Sequence, residues 1–315
     1  MKKGCMKMMQ FVPEGGLLET YDNRSYLKNL SGITEALHEG RILESTVSLC
    51  DSAHNMILDI GGIKGIIPRE EGALGIKEGK VRDIAIISRV NRPVSFIVTA
   101  LERDNDGSPV ALLSRRLAQQ RCMDNYVMKL IPGDVIPAKI THLEQFGAFA
   151  DIGCGIASLL PIDSISVSRI DHPCRRFSVG DNIKAVVKSS DDGRICLSHK
   201  ELLGTWQENA DLFEPGQTVS GIVRSVEDYG AFIELTPNLA GLAEIKPRLK
   251  PGMPVSVYIK SIIPQRMKVK LIIIDMFDFD VTTKPPKYFY TKDKMLEFIY
   301  SPEECEKTIA TSFTQ

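Results

Sequence analysis

The sequence predicts a mainly β chain: tandem barrels of five short strands each, joined by short helical linkers. Two segments carry one pattern, HLEQFGAFADIGCG from His142 to Gly155 and SVEDYGAFIELTPN from Ser225 to Asn238. The offset of 83 residues that places Phe146 on Tyr229 also carries Pro132-Gly133 onto Pro215-Gly216, Gly147 onto Gly230 and Phe149 onto Phe232. Repetition at a fixed offset marks a duplicated domain. Within each copy, short β-branched runs are separated by Gly- and Pro-bearing corners, which is the pattern of strands.

The elements follow in order. Residues 1–38 form an N-terminal extension. A first, worn copy spans 39–114: Glu39 to Glu44 opens it, Met56 to Gly62 and Lys64 to Pro68 follow, and Val94 to Leu101 with Val110 to Ser114 close it, with extra residues from Val81 to Pro93. Leu117, Met123, Tyr126, Val127 and Leu130 recur at helical spacing and make 115–131 a helical linker. The second copy, 132–200, reads as strands at Val135–Ile140, Ala148–Ile152, Ile156–Leu160, Asn182–Lys188 and Arg194–Ser198, with a long loop from Ile162 to Arg176. Asp191-Asp192-Gly193 is a hairpin turn with Gly193 where positive φ is needed.

Leu202, Leu203, Trp206, Ala210 and Phe213 make 201–214 a second helical linker. The third copy, 215–276, repeats the strands at Val219–Val223, Ala231–Leu235, Leu239–Ala243, Pro254–Lys260 and Arg266–Ile274. In the tail, 277–315, the run Tyr300-Ser301-Pro302-Glu303-Glu304 predicts a short helix, with Ser at the N-cap, Pro at the first helical position and two acids in the first turn. Five short strands with glycine-rich corners in each copy indicate closed barrels of the OB fold.

Composition narrows the function. At 315 residues, 43% apolar and 25% charged, the chain is an ordinary globular sequence of two or three domains. A net charge of −1 argues against a protein that holds nucleic acid chiefly by neutralising phosphates. The seven cysteines are scattered, with no CxxC pair, so neither a disulfide framework nor a zinc site is expected. The start MKKGCMKMMQ lacks the apolar run of a secretory signal, and no stretch reaches membrane-span length, so a cytoplasmic protein with no membrane partner is expected. There is no GxxxxGK[ST], HExxH or GxSxG motif, and the five histidines do not cluster with carboxylates. No enzyme activity, cofactor or metal is expected.

The repeated motif itself offers chemistry. Phe146 and Phe149 flank Gly147, as Tyr229 and Phe232 flank Gly230. A glycine bulge or corner between two aromatics can bring both rings to one exposed surface, where they stack on nucleobases. The alternative is that Phe149 and Phe232 fill the barrel interior. Across 132–200 eight basic residues balance eight acidic ones, so attraction to phosphate falls to local groups such as Lys139, Lys184, Lys188 and Arg194 on strand faces.

The stretch PGDVIPAKITHLEQFGAFADIG, with ASLLPIDSIS and FSVGDNIKAVVKSSDDGRICLSHK after it, resembles the RNA-binding repeat of bacterial ribosomal protein S1. The worn first copy and the tail YSPEECEKTIATSF are similar to shorter clostridial members of that family. The resemblance implies that Phe146, Phe149 and Arg194 in the second copy, and Tyr229, Phe232 and Arg266 in the third, contact RNA. The family's third-strand His is replaced by Pro161 and Glu244, and Lys246 stands two residues beyond Glu244 as a compensating cation. The first copy reads Ala53-His54-Asn55-Met56-Ile57 at the platform and has lost both aromatics, which fits a docking module.

The resemblance implies a protein that binds single-stranded mRNA in translation, together with the small ribosomal subunit. Four stacking rings supply ~4–12 kcal/mol against the ~8 kcal/mol of a micromolar complex. The competing reading is an adaptor that docks on the ribosome or on an RNA-processing enzyme and binds little RNA itself.

Overall fold

The computed structural model describes residues 11–279 and 285–313; the basic start and Cys5 lie outside the described residues. Two units are present, one comprising the chain through Leu130 with Asp151–Ala157, the other Ile131–Ala150 with the chain from Ser158 onward.

In the first unit the N-terminal extension is part of a core. Helix α1 (Tyr21–Tyr26) is capped by the Thr20 side chain, and α2 (Leu30–Glu39) is capped by Asn29 and stopped by Gly40 at φ 60°. Ile33 and Ala36 of α2 are fully buried in the cluster that fills the first barrel. Burying an isoleucine side chain in this way contributes roughly 1.5–3 kcal/mol. That barrel closes β1 (Ile42–Cys50), β2 (Met56–Ile60), β3 (Ile63–Ile67), β4 (Pro93–Arg103) and β5 (Pro109–Ser114) in the order β1-β2-β3-β5-β4. The extra residues between β3 and β4 include a one-turn helix, α3 (Ile84–Ile87), whose Ile86 reaches the core. The linker becomes α4 (Arg115–Asn125), capped by Ser114 and packed on β4.

A buried polar cluster lies beside this barrel. The Glu14 carboxylate accepts from Arg115 Nε and Nη2 at 2.7 and 3.0 Å, and its backbone N–H donates to Asp151 Oδ2 at 2.7 Å. Glu44 accepts from the Gly15 and Leu17 N–H groups at 3.0 and 2.8 Å and from Ser95 Oγ at 3.0 Å. Burial outweighs these bonds and pushes the Glu44 carboxyl up to about 7. Burial, with the Glu14 charge adding to it, also raises Asp151.

The second unit holds two barrels of the same strand order. β6 (Val135–Glu144), β7 (Gly147–Asp151), β8 (Ala157–Pro161), β9 (Asn182–Asp191) and β10 (Arg194–Ser198) form the second. β11 (Thr218–Glu227), β12 (Gly230–Thr236), β13 (Leu239–Ala243), β14 (Pro254–Ile263) and β15 (Lys268–Met276) form the third. In each barrel the third and fifth strands pair in parallel, which is the closure of an OB barrel: Ile66 with Leu112, Leu159 with Cys196, Leu242 with Lys270. Asp192 and Gly193, both at positive φ, make the β9–β10 turn.

The linker between these two barrels is a 3-10 turn followed by α5 (Trp206–Ala210), which starts in a Thr205–Glu208 capping box. Trp206 is 2% exposed and packs with Leu202, Val186 and the third-barrel core. Asn238 Nδ2 donates to the Lys200 and Gly204 carbonyls at 2.8 Å, and Arg176 and Arg224 both donate to the buried Glu234. His199 is fully enclosed, with its Nδ1 3.0 Å from the Ile165 carbonyl oxygen, and burial lowers it to about 4.

The tail corrects one expectation. No helix follows Tyr300; instead β16 (Glu297–Ile299) pairs with β17 (Ala310–Ser312). The Ser301 hydroxyl accepts from the Ile309 N–H at 2.7 Å across this hairpin, so it is spent on a partner eight residues away and is lost to capping. Met295, Phe298, Tyr300 and Phe313 then join the third-barrel core. Among the described residues no helix is long and apolar enough to cross a membrane, and no cluster of three metal-ligating side chains occurs.

Candidate nucleic-acid interface

The interior of each barrel is already occupied where the aromatic motif passes. Ala148 and Ala150 in β7, and Ala231 and Ile233 in β12, are fully buried and point inward. Phe149 and Phe232 alternate with them and lie on the outer face, so they are not core fillers. The Phe146 and Phe149 centroids lie 6.1 Å apart with planes at 89°, and Tyr229 and Phe232 lie 6.2 Å apart at 89°. Phe146 is 57% and Tyr229 71% exposed. A perpendicular pair offers one open ring face beside a second ring's edge, a corner into which a flat base fits. In the second barrel His142 adds a third ring 6.5 Å from Phe149, with its Nε2 2.7 Å from Glu144.

Gly147 is required for a different reason than a bulge. A Cβ there would sit 2.5 Å from the Leu160 carbonyl oxygen of the neighbouring strand. At Gly230, φ is 154° and a Cβ would meet the Ala243 oxygen at 2.9 Å. Glycine lets the chain press against the third strand immediately beside the exposed ring.

Strand register fixes which residues surround the rings. Phe232 pairs with Leu242, which pairs with Lys270. Leu159 pairs with Cys196 in the second barrel, while Ile57 pairs with Ile66, and Ile66 with Leu112, in the first. Each fourth strand carries a bulge, and the extra residue is Thr99, Lys188 or Lys260 in the first, second and third barrels. Two residues before Leu112, Cys196 and Lys270 stand Val110, Arg194 and Lys268. The outer face therefore reads His54, Ile57, Ile66, Thr99, Val110, Leu112 in the first barrel. It reads Phe146, Phe149, Leu159, Lys188, Arg194, Cys196 in the second, and Tyr229, Phe232, Leu242, Lys260, Lys268, Lys270 in the third.

This register revises the expected set. Lys268, not Arg266, occupies the Arg194 position; Arg266 lies earlier, exposed in a 3-10 turn before β15. Lys188 is exposed, with Nζ donating to Ser164 Oγ at 3.1 Å. Beside it, burial raises the Cys196 thiol, which Lys188 partly offsets. Lys139 pairs with Asn182 at the opposite end of β9 from Lys188, about 20 Å away along the strand, so the two are not brought together. Lys246 Nζ donates to the Ile274 carbonyl at 3.3 Å, beside the end of β15. Leu159, Leu242, His142, Lys260, Lys268 and Lys270 join the face; the repeat alignment of Lys188 with Lys260 could have found one of them, while Leu159, Leu242, Lys268 and Lys270 emerge only from strand pairing.

Charge follows the same gradient. Residues 39–114 hold 9 basic and 11 acidic side chains, 132–200 hold 8 and 8, and 215–276 hold 8 and 5. The third barrel is the most favourable to a phosphate chain and the first the least.

Comparison with known proteins fits these faces. The sequence model of the S1 RNA binding domain matches residues 129–200, the second barrel. Small ribosomal subunit protein bS1 of Staphylococcus aureus (strain COL) is 30% identical over 274 residues, covering 81% of this chain and 66% of that protein. The chain belongs to the S1 family. The bS1 protein of Leuconostoc lactis is 29% identical over 233 residues, covering 69% of this chain and 52% of its own length. The bS1 homolog of Bacillus subtilis (strain 168) is 32% identical over 197 residues, 60% of this chain and 49% of that protein. This S1-family chain thus spans just under two thirds of the staphylococcal relative and about half of the other two. The domain model covers one of its three barrels, and strand order shows the other two to be built alike.

Proposed function

We propose that the protein binds single-stranded mRNA through the outer faces of its second and third barrels and acts in translation at the small ribosomal subunit, in the cytoplasm. The observation that carries this reading is the duplicated perpendicular ring pair, exposed beside a lysine at the fourth-strand bulge and a cation at the head of the fifth strand. Phe146, Phe149, Lys188 and Arg194 serve in one barrel, and Tyr229, Phe232, Lys260, Lys268 and Lys270 in the other. Arg266 and Lys246 stand at the margin of the third-barrel face, and Lys139 lies outside the second-barrel face. The balanced charge of the second barrel makes stacking the main source of affinity, so binding tolerates sequence. The role is binding, with no catalysis.

The first barrel supports a second, compatible role. Its matched face carries Ile57, Ile66 and Leu112 around a nearly buried Val110, its one lysine, Lys64 beside Val110, lies 3.9 Å from Asp104, and Leu49 beside Ile57 is 52% exposed. A face of that chemistry suits a protein partner on the ribosome, as the adaptor reading holds.

The test is a fluorescence anisotropy titration of the full chain with a labelled single-stranded RNA and with the same sequence as a duplex. Binding of the single strand and not of the duplex is the expected result, because the bases of a duplex are already stacked. Equal binding of both would replace the stacking mechanism with a phosphate-directed one.

A further inference from the structure

The three barrels differ at one more matched position. On the fourth strands, Ile97 pairs with Ser114, Val186 with Ser198 and Tyr258 with Ile272. All three point outward, since their neighbours Phe96 and Val98, Ala185 and Val187, and Val257 and Ile259 fill the interiors. Ile97 is 3% and Val186 0% exposed. In the first barrel α4 packs on β4, and in the second Val186 is enclosed with Leu202 and Trp206. In each case the chain that leaves the barrel folds back over this position.

In the third barrel it does not. Tyr258 is 37%, Ile272 44% and Ile274 46% exposed, although 32 described residues follow β15. The open face is basic: Lys260 is the bulge residue next to Tyr258's strand neighbours, Lys270 pairs with Ser261 across from it, and Lys268 is exposed on the same side of β15. Against them stand Glu244, just beyond β13, and Asp275, which pairs with Ser256 two residues from Tyr258. An aromatic ring set among lysines fits a nucleic-acid strand better than an apolar protein surface. From Phe232 the route across Leu242 and Lys270 to β14 is three strand spacings, about 14 Å, without leaving the outer face.

We propose that Tyr258 is a further stacking station, so that one RNA strand runs from Tyr229 and Phe232 over Leu242 and past Lys260 and Lys270 to Tyr258. The second barrel cannot offer the equivalent, because Val186 is covered. The third barrel then grips a longer segment, toward the upper end of the roughly 4–16 nucleotides that one OB fold holds. This rests on the RNA-binding reading above.

The test uses the full chain carrying Phe146→Ala and Phe149→Ala, so that the third barrel dominates, titrated with a single-stranded RNA of about a dozen nucleotides. Adding Tyr258→Ala is expected to weaken binding by about fivefold or more, and Tyr258→Phe to keep it within about twofold. Unchanged affinity in Tyr258→Ala, with binding still lost in Tyr229→Ala/Phe232→Ala, overturns the Tyr258 station and leaves the RNA reading standing. No RNA binding by the unaltered chain overturns the RNA reading itself. Sedimentation without RNA supplies the remaining arm: a dimer that Tyr258→Ala dissociates would make this face a contact between copies and overturn the proposal.

Discussion

Alanine at all four platform rings, Phe146, Phe149, Tyr229 and Phe232, is expected to reduce single-stranded RNA affinity by at least a hundredfold. Each stacked base is worth ~1–3 kcal/mol, so the four rings account for ~4–12 kcal/mol of gross interaction. Ordering the RNA offsets part of that, yet even the lower bound exceeds the ~2.7 kcal/mol of a hundredfold change. The fold should survive, because Phe146 and Tyr229 are open to solvent and Phe149 and Phe232 lie outside the barrel interiors. Anisotropy with circular dichroism as the control for folding checks this. The two pairs should contribute unequally. Removing Tyr229 and Phe232 costs more, since Lys260, Lys268 and Lys270 surround them where the second barrel has Lys188, Arg194 and Cys196.

Acidification from pH 7 to 5 should move the stabilities of the two units in opposite directions. In the first unit the folded-state pKa of Glu44 is raised from 4.5 to about 7 by burial. Folding therefore favours its protonated form, and the stability present below about 4.5 is lost as pH rises toward 7. In the second unit His199 is lowered from 6.5 to about 4 by burial. Its contribution is present above 6.5 and is lost as pH falls toward 4, because the unfolded chain takes up a proton that the folded one refuses. Between pH 7 and 5 each effect amounts to about 2 kcal/mol. Hydrogen exchange, corrected for its intrinsic pH dependence and followed strand by strand, should show β1–β5 gaining protection while β6–β10 lose it. Glu44→Gln should flatten the first trend. Parallel loss in both units would mean that exposed carboxylates, not these two buried groups, control acid stability.

Much of the architecture was legible because it rests on local signals repeated three times. β-branched runs between Gly and Pro corners gave strands in each copy, and the aromatic-Gly-Ala-Phe run located the ring pairs. The failures share a cause, which is how strands pair with their neighbours. The tail sequence Ser301-Pro302-Glu303-Glu304 has every local mark of a helix start, and the Ile309 N–H claims the Ser301 hydroxyl instead. The Arg266 assignment followed residue identity across a turn whose length had changed. The β14–β15 connection runs through Pro264-Gln265-Arg266 and a left-handed Met267, where β9–β10 needs only Asp192-Gly193. The resulting slip is two residues, and because side chains alternate with period two, such a slip keeps the same face and raises no alarm in the hydrophobic pattern. Lys139 is a cation on a strand, but it lies opposite Asn182 at the start of β9, away from Lys188. Tyr258 carried no sequence signal at all. Its exposure depends on where the chain goes after β15, which no local pattern encodes.

The central claim is that RNA lies on the second and third barrels and not on the first, and photo-crosslinking tests it most directly. The full chain is irradiated with a single-stranded RNA containing photoreactive uridines, and the crosslinked peptides are identified by mass spectrometry. The account predicts crosslinks at Phe146 or Phe149 and at Tyr229 or Phe232, with none on the Ile57, Ile66 and Leu112 face. Crosslinks concentrated on the first barrel, or on none of the ring pairs, would contradict it.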